Sequence, residues 1–233
     1  MVKVKICGIT NLSDARRAVE AGADFLGFNF YRQSSRYIAP AAARRIVRCL
    51  PENVAAVGVF VNEPESEMLA IARRVGLDYV QLHGDETAEI VSRMRRSFRV
   101  IKAIGVRDSF RVSHLANFKR ASSILLDGFD AHLHGGTGKS FDWKVAKSAG
   151  RKCQIFLAGG ITPENVAEAV SAARPFAIDV CSGVESRPGK KDAVRMRALV
   201  AAVRPVNTSR HVNTTRPVNS ARLVNPARRK RRS

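Results

Sequence analysis

Apolar and polar positions along the chain repeat one pattern: a short buried-type strand, then an amphipathic helix. Val2–Cys7 alternates, with Val2, Val4 and Ile6 on one side, and breaks at Gly8. Asn11 to Ala21 carries helical spacing and ends at Gly22, a residue suited to closing a helix C-terminus. Phe25–Phe30 is nearly continuous in apolar residues, the pattern of a strand covered on both faces. The same reading predicts helices over Ala41–Leu50, Pro64–Val75, Asp85–Arg96, Ser109–Phe118, Asp142–Ala149, Pro163–Ala173 and Asp192–Val203. It predicts strands over Val54–Val61, Tyr79–Leu82, Val100–Ile104, Ile124–Leu126, Ile155–Ala158 and Phe176–Val180.

These elements make eight strand–helix units. Strict alternation implies parallel strands joined by helical crossovers. Eight units in about 200 residues favour closure into a (β/α)8 barrel over an open sheet. The expected organisation is one α/β barrel domain over residues 1–203 and a separate tail over 204–233. In such barrels the active site lies at the C-terminal ends of the strands. Those ends here are Cys7-Gly8, Asn29-Phe30, Gln81 to Gly84, Asp127-Gly128, Gly159-Gly160 and Asp179 to Gly183.

Charge changes the picture only partly. The chain carries a formal net charge of +20. Nine Lys/Arg and no acidic residue lie from Arg204 onward, leaving 31 basic against 20 acidic residues in the body. A basic body favours anionic ligands, small phosphorylated ones included. The tail repeats Arg-x-Val-Asn-x-x in four copies, with Arg204, Arg210, Arg216 and Arg222 in phase, and ends in the basic run Arg228 to Arg232. Low aliphatic content, prolines and charge predict disorder there, with weak nonspecific polyanion binding and no catalytic role. No apolar run reaches the ~20 residues of a membrane helix. The N-terminus lacks a signal-peptide pattern, so the cytoplasm is the expected compartment and no membrane partner is expected.

Candidate chemistry sits at the strand ends. A thiol at Cys7 and a carboxyl group at Asp127 would face each other across one barrel mouth, as base and acid. Gln81, His83 and Asp179 stand at neighbouring strand ends and are assigned to substrate binding. The loops after strands 7 and 8, with Gly159, Gly160, Ser182 and Gly183, are where such barrels bind phosphate. The segment Gly135 to Ser140 ends like a nucleotide-binding loop, but Leu133 stands where its first glycine is required. It reads as a lid with a basic residue toward an anion. His132 and His134 have no carboxylate or cysteine at ligand spacing, so no metal site is expected. Cys7, Cys49, Cys153 and Cys181 form no C-x-x-C pair and are expected to be thiols.

Nine segments, taken in order, resemble the phosphoribosylanthranilate isomerase family. They are Lys5 to Thr10, Gly27 to Phe30, Ser34 to Tyr37, Gly58 to Asn62, Val80 to Gly84, Leu125 to Asp127, Gly135 to Trp143, Leu157 to Ile161 and Asp179 to Glu185. The resemblance spans about residues 2 to 203. It implies an Amadori rearrangement in tryptophan biosynthesis, in which N-(5-phosphoribosyl)anthranilate becomes 1-(2-carboxyphenylamino)-1-deoxyribulose 5-phosphate. It implies Cys7 as general base, Asp127 as general acid, and Arg36 holding the anthranilate carboxylate. No metal or organic cofactor is implied, because the substrate's own nitrogen is the electron sink. The implied partner is a small phosphorylated substrate, with the chain itself monomeric or homodimeric. The chemistry needs Asp127 protonated, and Leu125 and Leu126 predict apolar surroundings that favour this. It needs Cys7 as a thiolate, which calls for nearby positive charge or oriented donors.

One departure is visible: Cys181 stands where the family usually has the first serine of Ser-Ser-Gly. The histidine-pathway ribosylamine isomerases share the barrel and the step, but resemble a two-aspartate machine with Asp at the end of strand 1, where Cys7 stands. The charge alone suggests a nonenzymatic nucleic-acid-binding protein; the complete set of strand-end residues argues against it.

Overall fold

The computed structural model describes residues 1–107, 109–128 and 143–208, the last four by backbone alone. The predicted lid at Gly135 to Ser140, His132, His134 and the repeats beyond Thr208 lie outside the described residues.

Eight parallel strands close into a barrel in sequence order, the eighth pairing with the first. They are β1 (Lys3–Ile6), β2 (Phe25–Asn29), β3 (Ala55–Phe60), β4 (Tyr79–Leu82), β5 (Arg99–Val106), β6 (Ser123–Gly128), β7 (Ile155–Leu157) and β8 (Ala177–Val180). Around them run α1 (Leu12–Ala21), α2 (Pro40–Val47), α3 (Glu65–Val75), α4 (Ala88–Met94), α5 (Lys144–Ala149), α6 (Val166–Ala173) and α7 (Ala193–Thr208). The expected α/β barrel is therefore present, each predicted strand in its place. Local signals explain the helix ends. Asn11 caps α1 by accepting from Asp14 N at 2.9 Å, and Gly22 ends it in the left-handed region at φ 99°.

Several element ends shift by two or three residues, and three larger differences from expectation stand out. Ser109–Phe118 is not an α-helix; the chain makes a 3-10 turn at Val112–Phe118 and buries only Leu115 of that turn. One apolar anchor is too few to draw a full helix onto the sheet. The last helix does not stop before Pro205 but continues to Thr208. A small antiparallel ribbon that periodicity did not suggest, β9 (Glu185–Arg187) with β10 (Lys190–Lys191), follows β8.

Two layers of apolar side chains hold the barrel. Val2, Val4 and Ile6, with their counterparts on other strands, pack outward against the helices. Inside, Phe25, Val57, Ile101, Leu125, Phe156 and Ala177 form a separate cluster. Its lower end is closed by aromatic rings: Phe25 meets Phe156 at 5.3 Å and Tyr79 at 5.6 Å between centroids, edge to face. Such pairs add about 0.5–1.5 kcal/mol each beyond simple burial. With the lower end plugged by these rings, the interior opens toward the strands' C-terminal ends.

Candidate active site at the C-terminal end of the barrel

Strand alternation places the site. Since Val4 and Ile6 face the helices, Lys5 and Cys7 must face the barrel interior. The β1–β8 register sets Lys5 against Asp179, and both are buried. Lys5 Nζ donates to both Asp179 oxygens at 2.9 Å. Burial opposes the Lys5 charge, but Asp179 and Cys7 hold its pKa above the ordinary lysine value. Burial pushes Asp179 up to about 6, against the pull of Lys5 and with the help of negative charge at Cys7 and Asp127. Sequence reasoning did not single out Lys5. The signal was there: a lysine on the inward face of a strand covered on both sides.

One cavity of about 580 Å³ occupies the barrel mouth. Among its walls are Cys7, Asp127, Arg36, Gln81, His83, Asp179, Gly159, Gly160 and Ser182. Every predicted site residue except Gly183 therefore converges there. A side chain on Gly183 would fall 2.0 Å from Ile161 O, so its bareness lets the loops after β7 and β8 close on each other. Gly159 and Gly160 are left-handed, at φ 82° and 66°, and a Cβ on Gly159 would lie 2.3 Å from Gly128 N. Asn165 ties this loop by accepting from Thr162 N at 2.8 Å and donating to Gly160 O at 2.7 Å.

Cys7 continues the β1–β8 pairing, its N donating to Val180 O at 2.8 Å. Its pKa lies well below the ordinary thiol value. The main cause is a hydrogen bond from Cys181, joined by the charges of Lys5 and Lys191 against the opposing effect of burial. All four cysteines are free thiols.

Asp127 is the penultimate residue of β6, with Leu125 two residues below it on the same inward face. Its close polar neighbour is His83, whose Nε2 lies 3.5 Å from Asp127 Oδ2. Gln81 Nε2 lies 2.7 Å from His83 Nδ1. With Gln81 donating, Nδ1 is the acceptor, which leaves Nε2 facing Asp127. Gln81 Oε1 is buried without a hydrogen-bond partner among the described residues. His83 is aimed by a buried cluster beneath its loop: Glu86 accepts from Gly84 N and Asn62 N, and Lys102 Nζ donates to Glu86 at 2.9 Å.

Arg36 sits on a loop stapled by two short side chains. Asn29 Oδ1 accepts from Tyr31 N at 2.9 Å, and Ser34 Oγ accepts from Arg36 N at 3.2 Å. The guanidinium is already half engaged: Nε and Nη2 donate to the Glu185 carboxylate at 3.0 and 2.8 Å. Only its end-on edge, Nη1 with Nη2, remains for a ligand carboxylate. Glu185 also accepts from Lys191 Nζ at 2.8 Å. Against burial, these two cations hold Glu185 below the usual carboxylate range. Sequence patterns pointed to neither Glu185 nor Lys191, because the ribbon β9–β10 brings them in. Among the described residues, no three His, Cys, Asp or Glu side chains are arranged to hold a metal ion.

Comparison with known proteins agrees with this geometry. Residues 4–202 match the family described as N-(5'phosphoribosyl)anthranilate (PRA) isomerase. A protein of that name from Trichlorobacter lovleyi is 50% identical over 201 residues, covering 86% of this chain and 97% of the relative. The crystal structure of phosphoribosyl anthranilate isomerase from Thermotoga maritima superposes with a TM-score of 0.83 at 45% identity, covering 88% of this chain and all of that one. A further structure of such an isomerase, in complex with reduced 1-(o-carboxyphenylamino)-1-deoxyribulose 5-phosphate, gives a TM-score of 0.79 at 43% identity over the same shares. With the barrel closed in order, a thiol on β1 and a carboxyl group on β6 at one mouth, and the match running the length of the barrel, the chain belongs to the N-(5'-phosphoribosyl)anthranilate isomerase family.

Proposed function

We propose that the chain converts N-(5-phosphoribosyl)anthranilate to 1-(2-carboxyphenylamino)-1-deoxyribulose 5-phosphate, with Cys7 as general base and Asp127 as general acid. The observation that carries these roles is the pairing, in one cavity, of a thiol with a strongly depressed pKa and a carboxyl group on the opposite wall. A proton from Asp127 goes to the furanose ring oxygen as the C1–O bond breaks, and the nitrogen lone pair forms the iminium. Cys7 then takes the C2 proton, and those electrons neutralise the iminium to give an enolamine. Return of a proton to C1 and loss of the one on the C2 hydroxyl yield the ketone. Atoms balance, as an isomerisation requires, and the substrate nitrogen serves as the electron sink, so no metal or organic cofactor is needed.

The binding roles follow from position. The end-on edge of Arg36 meets the anthranilate carboxylate. His83 and Gln81 align Asp127, and the free Gln81 Oε1 accepts from a ligand hydroxyl. Asp179 holds Lys5 beside the reacting carbon and offers its oxygens to a sugar hydroxyl. Backbone around Gly159, Gly160, Ser182 and Gly183 holds the phosphate. Every one of these groups comes from one chain, so one barrel suffices whether the protein is a monomer or a homodimer.

Residues 1–203 supply this machinery. The chain beyond α7, residues 209 to 233, adds only weak, salt-sensitive affinity for polyanions. No helix among the described residues is long and apolar enough to cross a membrane. A substrate carrying both a phosphate and a carboxylate does not cross a membrane unaided, which supports a cytoplasmic reaction. A fluorescence assay of phosphoribosylanthranilate consumption by the purified protein tests the reading. Turnover is expected; its absence in folded protein overturns the proposal.

A further inference from the structure

Cys181 is the residue at which this chain departs from its family's usual pattern, and its surroundings give it work to do. The β1–β8 register pairs Lys5 with Asp179 and Ile6 with Val180, so Cys7 and Cys181 come abreast. Lys5 and Asp179 face inward, so their neighbours two residues on face inward too, and both cysteines line the cavity. Bare glycines make room for the two sulfurs. A Cβ on Gly27 would lie 2.8 Å from Cys7 Sγ, and one on Gly8 would lie 3.0 Å from Cys181 Sγ.

The two thiols have unlike surroundings. Lys191, itself buried, donates to Cys181 O at 3.1 Å and reaches Cys181 Sγ at 3.7 Å. Cys181 Sγ stands as donor to Glu185 Oε1 at 3.9 Å, a distance long enough to leave the S–H free to turn to the Cys7 sulfur. A carboxylate on that side opposes a thiolate at Cys181 and keeps its proton in place. A sulfur that accepts from an ammonium is in turn a stronger donor through its own S–H.

We propose that Cys181 is a positioning residue for the isomerisation: its S–H donates to the Cys7 sulfur, holds Cys7 as thiolate and passes on the field of Lys191. The idea rests on Cys7 being the base. It accounts for the opposite perturbation of the two thiols, Cys7 well below the ordinary value and Cys181 well above it, each chiefly through the other. The charged and titratable groups around Cys7 are Lys5 from β1, Asp179 and Cys181 from the β8 end, Lys191 from β10, Arg36 from the loop after β2, and Asp127 across the cavity. Of these only Cys181 offers a proton that a serine would also offer and an alanine would not.

The test compares Cys181→Ala with Cys181→Ser by two readouts: the pH dependence of kcat/KM and the pH dependence of Cys7 alkylation by iodoacetamide, followed by peptide mass spectrometry. In Cys181→Ala both midpoints should rise by about one pH unit or more, lowering the thiolate fraction at least tenfold on the acid side. KM should change little. Cys181→Ser should return both midpoints most of the way toward wild type. Should the alanine variant not fold, Cys181→Thr against Cys181→Val makes the same comparison between near-isosteric side chains with and without a donor. Equal Cys7 midpoints in donor and non-donor variants would overturn the proposal. Alkylation reports on Cys7 whatever its role. Activity surviving in Cys7→Ser would instead remove the base assignment, so the two failures are distinguishable.

Discussion

The Lys5–Asp179 pair at the centre of the barrel gives a prediction with a definite pH signature. Replace Lys5 with Met, in a Cys7→Ser background so that thiolate titration is out of the balance. In wild type Asp179 has a folded pKa of about 6, raised above the ordinary ~3.9 of the unfolded chain chiefly by burial; losing the Cys7 charge, which also raises it, brings the parent's value down from there. Between roughly pH 4 and 6 the folded state therefore binds more protons than the unfolded one, and stability falls as pH rises. Above about 6 the parent carboxylate ionises against Lys5 and the fall stops. Without Lys5 the buried carboxyl group has lost its counter-charge and stays protonated to higher pH. The variant then goes on losing about 1.4 kcal/mol per pH unit, because the unfolded state alone releases the proton.

The stability gap should thus open by about 2.7 kcal/mol between pH 6 and 8. That is in keeping with the ~3–5 kcal/mol typical of removing one partner from a buried pair. Urea unfolding of both proteins at half-unit pH intervals measures it. A gap that does not change from pH 6 to 8 would mean that Asp179 ionises as easily without Lys5 as with it. The account of this pair would then be wrong.

Cys7→Ser and Asp127→Asn should each lower kcat by ~10²–10⁴-fold with the fold intact by circular dichroism; near-normal turnover in either would reassign its role. Arg36→Met should raise KM for phosphoribosylanthranilate far more than it lowers kcat. It should also soften the loop after β2, because Glu185 loses its two-point partner; unchanged KM and kcat would take Arg36 out of the site. Truncation after Thr208, where α7 ends, should leave kcat nearly unchanged at low and moderate salt; a large loss at both, in folded protein, would bring the tail to the active site. EDTA should not affect turnover, whereas a loss reversed by added zinc would point to a metal at His132 and His134.

Strand number, order and the address of the active site were legible because buried parallel strands read as short apolar runs punctuated at their ends. Cys7, Asp127 and His83 stand where the runs stop, and the cavity forms there. Less was legible wherever function depends on closure. Asp179 is 174 residues from Lys5, and only the β1–β8 pairing makes them an ion pair. The resemblance implies Arg36 on the anthranilate carboxylate, but nothing local to Arg36 reveals that Glu185, 149 residues away, already takes one side of its guanidinium. Cys181 was noted as a substitution in a phosphate loop. Its tie to Cys7 became visible only with both strands side by side. The predicted helix at Ser109–Phe118 failed for the opposite reason: its spacing was helical, but the surface available to bury it was small.

The end of α7 lies far from the chemistry. Arg204 reaches Gly22, where α1 hands the chain to β2 at the plugged end of the barrel. A strand such as β3, six residues long, spans roughly 20 Å at about 3.3 Å per residue. That exceeds the ~8–10 Å over which exposed charges are felt near physiological salt. Mutation at that end is thus judged by solubility, degradation and chance association rather than by turnover. The barrel keeps its reacting groups at the strand tips and ends its last helix at the opposite face, so the two ends of the molecule answer to different physical demands.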